Sequence, residues 1–77
     1  MQVTFNLVGN STHRDISTPD GIRREWTMNC QLDGGGISAN ISTSVPANSE
    51  LEARGIALSR FQEFLIGANR AAQHYRL

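Results

Sequence analysis

His13-Arg14-Asp15 matches the tripeptide that carries the catalytic base of protein kinases, yet the chain has 77 residues and lacks the companion kinase motifs. Gly34-Gly35-Gly36 could cradle a phosphate, but such loops open into a helix N-terminus and here strand patterns lie on both sides. Seven carboxylates, from Asp15 to Glu63, are scattered over turns and the surface of one helix. No spacing brings Ser or Thr to a base as a nucleophile would require. Cys30 is the single cysteine, and His13 and His74 are far apart, so neither a disulfide nor a metal site is expected. The chain reads as a non-enzyme with no catalytic residue, cofactor or metal.

Binding is the remaining chemistry, and two surfaces offer it. The first is made of Gln2, Thr4 and Asn6, then Thr27, Asn29 and Gln31, then Ser38, Asn40, Ser42 and Ser44. All are outward positions of alternating segments, and none is charged or aromatic. Ser and Asn are poor strand formers, so a face built from them is unusual. Short hydroxyls and amides cost little to desolvate and adapt their hydrogen bonds, as they do in antibody paratopes. Without aromatics the face has no stacking platform for single-stranded RNA. The second surface is the arginine group Arg14, Arg23 and Arg24, beside Asp15 and Glu25. It reads either as cross-strand ion pairs or as a projection towards an acidic or phosphate partner. Ile56 and Ile66 fall on the polar side of the predicted helix and suggest a third, dimer contact.

The elements that position these residues follow from periodicity. Strands are predicted at about 2–16, 22–33 and 37–45, with Val3, Phe5, Leu7, then Trp26, Met28, Cys30, Leu32, then Ile37, Ala39, Ile41, Val45 facing inward. A loop over Asp33-Gly34-Gly35-Gly36 pairs Leu32 with Ile37, Cys30 with Ala39 and Met28 with Ile41. A turn at Thr18-Pro19-Asp20-Gly21 pairs Ile16 with Ile22, Arg14 with Arg24 and Thr12 with Trp26. One extra residue, a bulge at Gly9 or Asn10, then sets Leu7 against Cys30. From Ser49 the period becomes helical. Ser49 and Glu52 form a capping box, and Leu51, Gly55, Leu58, Phe61, Leu65, Ala68, Ala72 and Tyr75 make an apolar stripe to about residue 74. Gly55 on that stripe predicts close approach of helix to sheet. The reading is an α+β fold in two layers over 1–77: a three-stranded antiparallel β-meander with one long C-terminal helix (β-β-β-α).

The β-β-β-α order resembles the small DNA-binding domains of phage-type integrases and plant AP2-type factors. Those carry Arg and Lys on the exposed sheet face, where this chain has neither in its central region. Size, compactness and absence of catalytic motifs also resemble the small phage-encoded inhibitors, anti-CRISPR proteins among them, that occlude a host nucleoprotein complex. Seven Arg balance seven acidic residues and Lys is absent. No basic excess is present to neutralise phosphates, which leaves direct nucleic-acid binding by the ribbon arginines as the lesser alternative. No signal-peptide pattern or membrane-length apolar run is seen. The expectation is a cytoplasmic protein-binding module, monomer or homodimer, without membrane contact.

Overall fold

A computed structural model describes the backbone of residues 1–77 and all side chains except those of residues 9–11. Three strands, β1 (Thr4–Thr18), β2 (Gly21–Gly34) and β3 (Ile37–Pro46), precede one helix, α1 (Glu50–Gln73). The strands form an antiparallel sheet in the order β1-β2-β3. The fold is the expected α+β meander with its helix on one face.

Both hairpins turn more tightly than their sequences suggest. Gly35 and Gly36 alone make the second turn, with φ of +59° and +79°. Positive φ at both central residues is what a two-residue hairpin needs to match strand twist, and glycine adopts it without strain. Gly34 therefore pairs with Ile37, Leu32 with Ala39, Cys30 with Ile41, Met28 with Thr43 and Trp26 with Val45. This corrects the four-residue loop and slides the register by two residues. An even slide preserves parity, so the apolar side chains stay on one face.

The first hairpin holds Pro19 and Asp20 in its turn, with Thr18 opposite Gly21. The expected turn over Thr18-Pro19-Asp20-Gly21, with Ile16 set against Ile22, misplaced the distal register by one. Ile16 faces Arg23 rather than Ile22, Arg14 faces Glu25 rather than Arg24, and Thr12 faces Thr27 rather than Trp26. The observed pairing sets opposite charges across the strands, Arg14 to Glu25 and Asp15 to Arg24, where the expected one opposed two arginines. Leu7 does face Cys30. Val8 faces Asn29 and Thr12 faces Thr27, so four residues of advance on β1 match two on β2. The irregularity thus lies between Val8 and Thr12, and its size keeps odd-numbered β1 residues inward on both sides. The side chains of Gly9 and Asn10, the expected bulge, lie outside the described residues.

Helix α1 starts where its capping residues dictate. Ser49 is extended (φ −146°, ψ 161°), and its hydroxyl accepts from the Glu52 amide at 3.2 Å. The Glu52 carboxylate reaches back to the Asn48 amide at 3.3 Å, one residue before the reciprocal bond of a capping box. Glu50 and Glu52 in the first turn and Arg70 in the last complement the helix dipole.

The core is small: Trp26, Met28, Cys30, Val45 and Ala47 beneath Ala53, Ala57 and Phe61 of the helix. The buried helix face therefore runs at i, i+4, i+8 and is made largely of alanine. Leu51, expected on this face, is 82% exposed, and a Cβ at Gly55 would meet nothing. Alanines allow the close approach that was assigned to Gly55, because the bulk is supplied from the sheet by Trp26 and Met28. Phe61 meets Phe5 edge-on at 6.3 Å between ring centres. The Trp26 indole donates to the Ala47 carbonyl at 2.9 Å, tying the end of the sheet to the start of the helix. Arg60 donates to the Ser44 carbonyl at 2.9 Å and fastens the helix to β3.

The molecule measures 48 × 24 × 15 Å, with a radius of gyration of 15.1 Å. A compact chain of this length would have a radius of about 11–12 Å. The excess comes from two overhangs. Beyond Glu25 and Pro46, where β3 ends, β1 and β2 continue as a two-stranded ribbon. At the other end the helix runs past the sheet, and every residue from Ile66 onward is exposed.

Candidate functional site

Alternation sends every second side chain away from the helix. Across the three strands the outward rows are Asn6-Gln31-Asn40, Val8-Asn29-Ser42 and Thr12-Thr27-Ser44. Thr27, Asn29, Gln31, Ser38, Asn40 and Ser42 thus share one face, as the register logic required. Asn29 and Gln31 on the central strand are half-buried by their neighbours, and Thr27, Ser38, Asn40 and Ser42 are exposed.

The face is neutral only in its middle. Asp33, expected in the turn, is a β2 residue in the outward row Thr4-Asp33-Ser38. At the opposite end the row Arg14-Glu25-Pro46 brings in charge, with Arg23 one row beyond. The surface therefore has a short-chain polar centre between one carboxylate and a mixed ion cluster.

Few of its polar groups are engaged. Gln31 donates to Ser38 at 2.9 Å and to Asp33 at 3.4 Å, and Ser44 donates to Glu25 at 3.3 Å. Among the described residues, no hydrogen bond within the chain holds the side-chain amides of Asn6, Asn29 or Asn40. Among the described residues these amides are open to another acceptor or donor.

The arginines do not form one patch. Arg23 donates to Glu25 at 2.6 Å on the outer face. This bond holds the Glu25 carboxyl below its ordinary range, and the Ser44 hydroxyl and the charge of Arg14 add to the effect. Arg24 points to the helix side and bonds Asp15 at 3.2 Å. With Asp15, Ile22 and Asn48 it lines a shallow polar hollow of about 300 Å³. The ribbon carries Arg14, Arg23 and Arg24 together with Asp15, Asp20 and Glu25, so it is close to neutral.

The two isoleucines also separate. Ile56, expected on the polar side of the helix, is half-buried against the core, whereas Ile66 is 56% exposed. Cys30 is wholly buried, and burial pushes its thiol pKa up, which keeps it protonated and unreactive.

Sequence reasoning missed an apolar surface at the helix end of the molecule. Val3, Leu32, Ile37, Ala39 and Leu65 line a groove of about 210 Å³, with Asp33 at its margin. Ile37 there is 66% exposed, although its strand position is inward. The signal was present as helix length: about 36 Å for 24 residues at 1.5 Å each, longer than a ten-residue edge strand can cover. His13 lies against Trp26 at 4.6 Å, a ribbon-to-core contact that no motif announced. Among the described residues, no helix is long and apolar enough to cross a membrane. No protein-family model, curated protein or solved structure matches the chain.

Proposed function

We propose that this chain is a non-catalytic protein-binding module that docks through the outer face of its sheet. The observation that carries the reading is the set of amides, Asn6, Asn29 and Asn40, that no hydrogen bond among the described residues engages, on a flat surface of short uncharged side chains. A partner can displace water from such a surface at low desolvation cost and replace it with direct hydrogen bonds. Binding of this kind acts by covering the partner's surface. Occlusion of a host nucleoprotein complex by a phage-encoded inhibitor is the specific form to test first.

Affinity capture from a native lysate is the direct test, with the wild type and Asn29→Lys/Asn40→Lys as baits. Two lysines would bring desolvation cost and positive charge into the middle of the face while leaving the core untouched. Loss of the captured protein with an unchanged circular dichroism spectrum supports the reading. Equal capture by both baits would remove the sheet face as the site.

Direct nucleic-acid binding by Arg14, Arg23 and Arg24 is the weaker alternative. Arg23 and Arg24 are each bonded to a carboxylate, and Arg14 lies opposite Glu25, so few cationic groups remain for phosphates. A salt titration with duplex DNA and RNA separates the two readings. Binding that strengthens steeply as salt falls would favour the arginines.

A further inference from the structure

β3 is an outer strand, paired on one side only, with β2. The Ala47 amide donates to the Arg24 carbonyl at 3.1 Å, which makes Arg24 and Ala47 a hydrogen-bonded pair. From Glu25 and Pro46 to Gly34 and Ile37 the register then runs without a break. Hydrogen-bonded pairs alternate along an antiparallel ladder, so the odd-numbered residues of β3 bond to β2. The even-numbered ones turn their N–H and C=O groups to the open edge. The Ser44 carbonyl agrees with this phase, because it accepts from Arg60 of the helix. Pro46 has no N–H to offer. Ser38, Asn40 and Ser42 remain, and among the described residues no hydrogen bond engages their backbone groups.

Exposed strand edges are ordinarily blunted by charge, proline or a bulge. The β1 edge has an irregularity between Val8 and Thr12, followed by Arg14 and Asp15. The β3 edge from Ile37 to Thr43 is regular and carries neither charge nor proline. What such an edge recognises is another extended backbone.

We propose that the backbone is β3 of a second copy, running antiparallel about a two-fold axis at Asn40. Ser38 of each copy then faces Ser42 of the other, and Asn40 faces Asn40. Every open N–H and C=O of these residues gains a partner. Ser44 falls opposite Gly36 in the turn, beyond the ladder, and keeps its bond with Arg60. A shift of one would set Ser38 against Ser44, whose carbonyl Arg60 already occupies.

The side chains fit the same axis. On the helix side it sets Ile37 opposite Thr43 and Ala39 opposite Ile41. Ile37 is 66% exposed in the single chain. Thr43 lines a hollow of about 260 Å³ with Ile41, Ser42, Phe61 and the exposed Phe64. Ser42 and Thr43 point to opposite faces of the strand, so a hollow that both line lies at the edge itself. Ile37 of the second copy arrives beside it. On the other side only Ser and Asn meet across the axis, so no like charges oppose each other. The contact is isologous and stops at two copies.

Sedimentation equilibrium combined with amide hydrogen exchange read by NMR tests the proposal. The wild type should show a reversible monomer–dimer equilibrium. The Ser38, Asn40 and Ser42 amides should exchange fast in dilute protein and become protected as the dimer forms. Ser42→Pro should raise the dissociation constant about a hundredfold, because by symmetry it removes two backbone hydrogen bonds and leaves both Ser38 carbonyls unpaired. Its circular dichroism spectrum should be unchanged, since that N–H points away from β2 and proline is tolerated there. Asn40→Lys, at an exposed side chain, sets two like charges opposite each other and should also weaken the dimer. Asn29→Lys lies on β2, off the edge, and should dimerise like the wild type. Loss of partner capture by that single variant then belongs to the outer face, and the two proposals stand or fall separately. A wild type that stays monomeric at all concentrations overturns the proposal and leaves the edge to a strand of another protein. A dimer in which the three amides still exchange fast overturns it too, as does a Ser42→Pro chain that dimerises with wild-type affinity.

Discussion

The two halves of α1 carry the same apolar stripe and meet opposite surroundings. Over Glu50–Leu65 it lies on the sheet, with Ala53, Ala57 and Phe61 buried. From Ile66 to Gln73 every residue is exposed. Their helical spacing is equally regular, so periodicity alone does not separate them. What separates them is the length of the sheet: β3 spans ten residues, and the helix leaves its end near Leu65. An apolar helix face is buried only where a neighbouring layer reaches it.

The largest expected effect breaks the covered half. Phe61→Ala empties the centre of an eight-residue core and should cost about 3–5 kcal/mol. That approaches the whole stability of a small domain, so urea denaturation should find the variant largely unfolded. Ile66→Ala, at the exposed residue that follows Leu65, should change stability by no more than about 0.5 kcal/mol. Similar losses for the two would mean that the overhang is packed in solution.

Glycine substitutions sharpen the comparison further. A Cβ at Gly55 or Gly67 meets nothing within 4 Å. Gly55→Ala and Gly67→Ala should therefore each stabilise the chain by up to about 1 kcal/mol through helix propensity alone. A rise in melting temperature checks this. A fall for Gly55→Ala would restore the close helix-to-sheet approach that its sequence position suggests.

The smallest effect concerns the ribbon, the overhang at the other end. The Glu25 carboxyl titrates below its ordinary value near 4.5 because Arg23 donates to it. A lowered folded-state pKa contributes stability that is present above the unfolded value and lost as pH falls through the folded one. Glu25→Gln should accordingly flatten the acid side of the stability curve slightly, with the two proteins converging at the lowest pH. Parallel acid curves for the two would show that the ion pair at this exposed ribbon contributes nothing measurable.

Much of this molecule was legible in its residues. Strict alternation identified the inward side chains of β2, β3 and the first part of β1, while distal β1 faces the other way from its expected register; turn signals placed both hairpins. Their registers were not legible, because a hairpin signal marks where the chain reverses without counting the residues in the turn. The slip of two at Gly35-Gly36 preserved parity and left the outer face intact. The slip of one at Pro19-Asp20 changed every partner in the ribbon and put Arg14 on the face of Arg23 and Glu25 rather than that of Arg24.

The sheet face was assembled correctly from types and spacing because period-two geometry is local. Its charged margins were misjudged at Asp33, where a turn residue proved to be the end of a strand. The Ser49 cap was likewise local and correct, as side chain and amide are three residues apart. Burial along the helix was not local. Leu51 and Ala57 exchange the roles that their hydrophobicity suggests, since the approach of a helix to a sheet rewards small side chains above bulky neighbours such as Trp26.

By itself, then, the sequence determined the order of elements, the faces of β2 and β3, the start of the helix and the uncharged centre of the outer surface. Each of these depends on neighbours within a few residues. Only the tertiary structure decided which helical side chains are buried, which arginines share a face, and that sheet and helix each extend past the other. Those outcomes depend on where two elements distant in sequence begin and end against one another, and no local period contains that information.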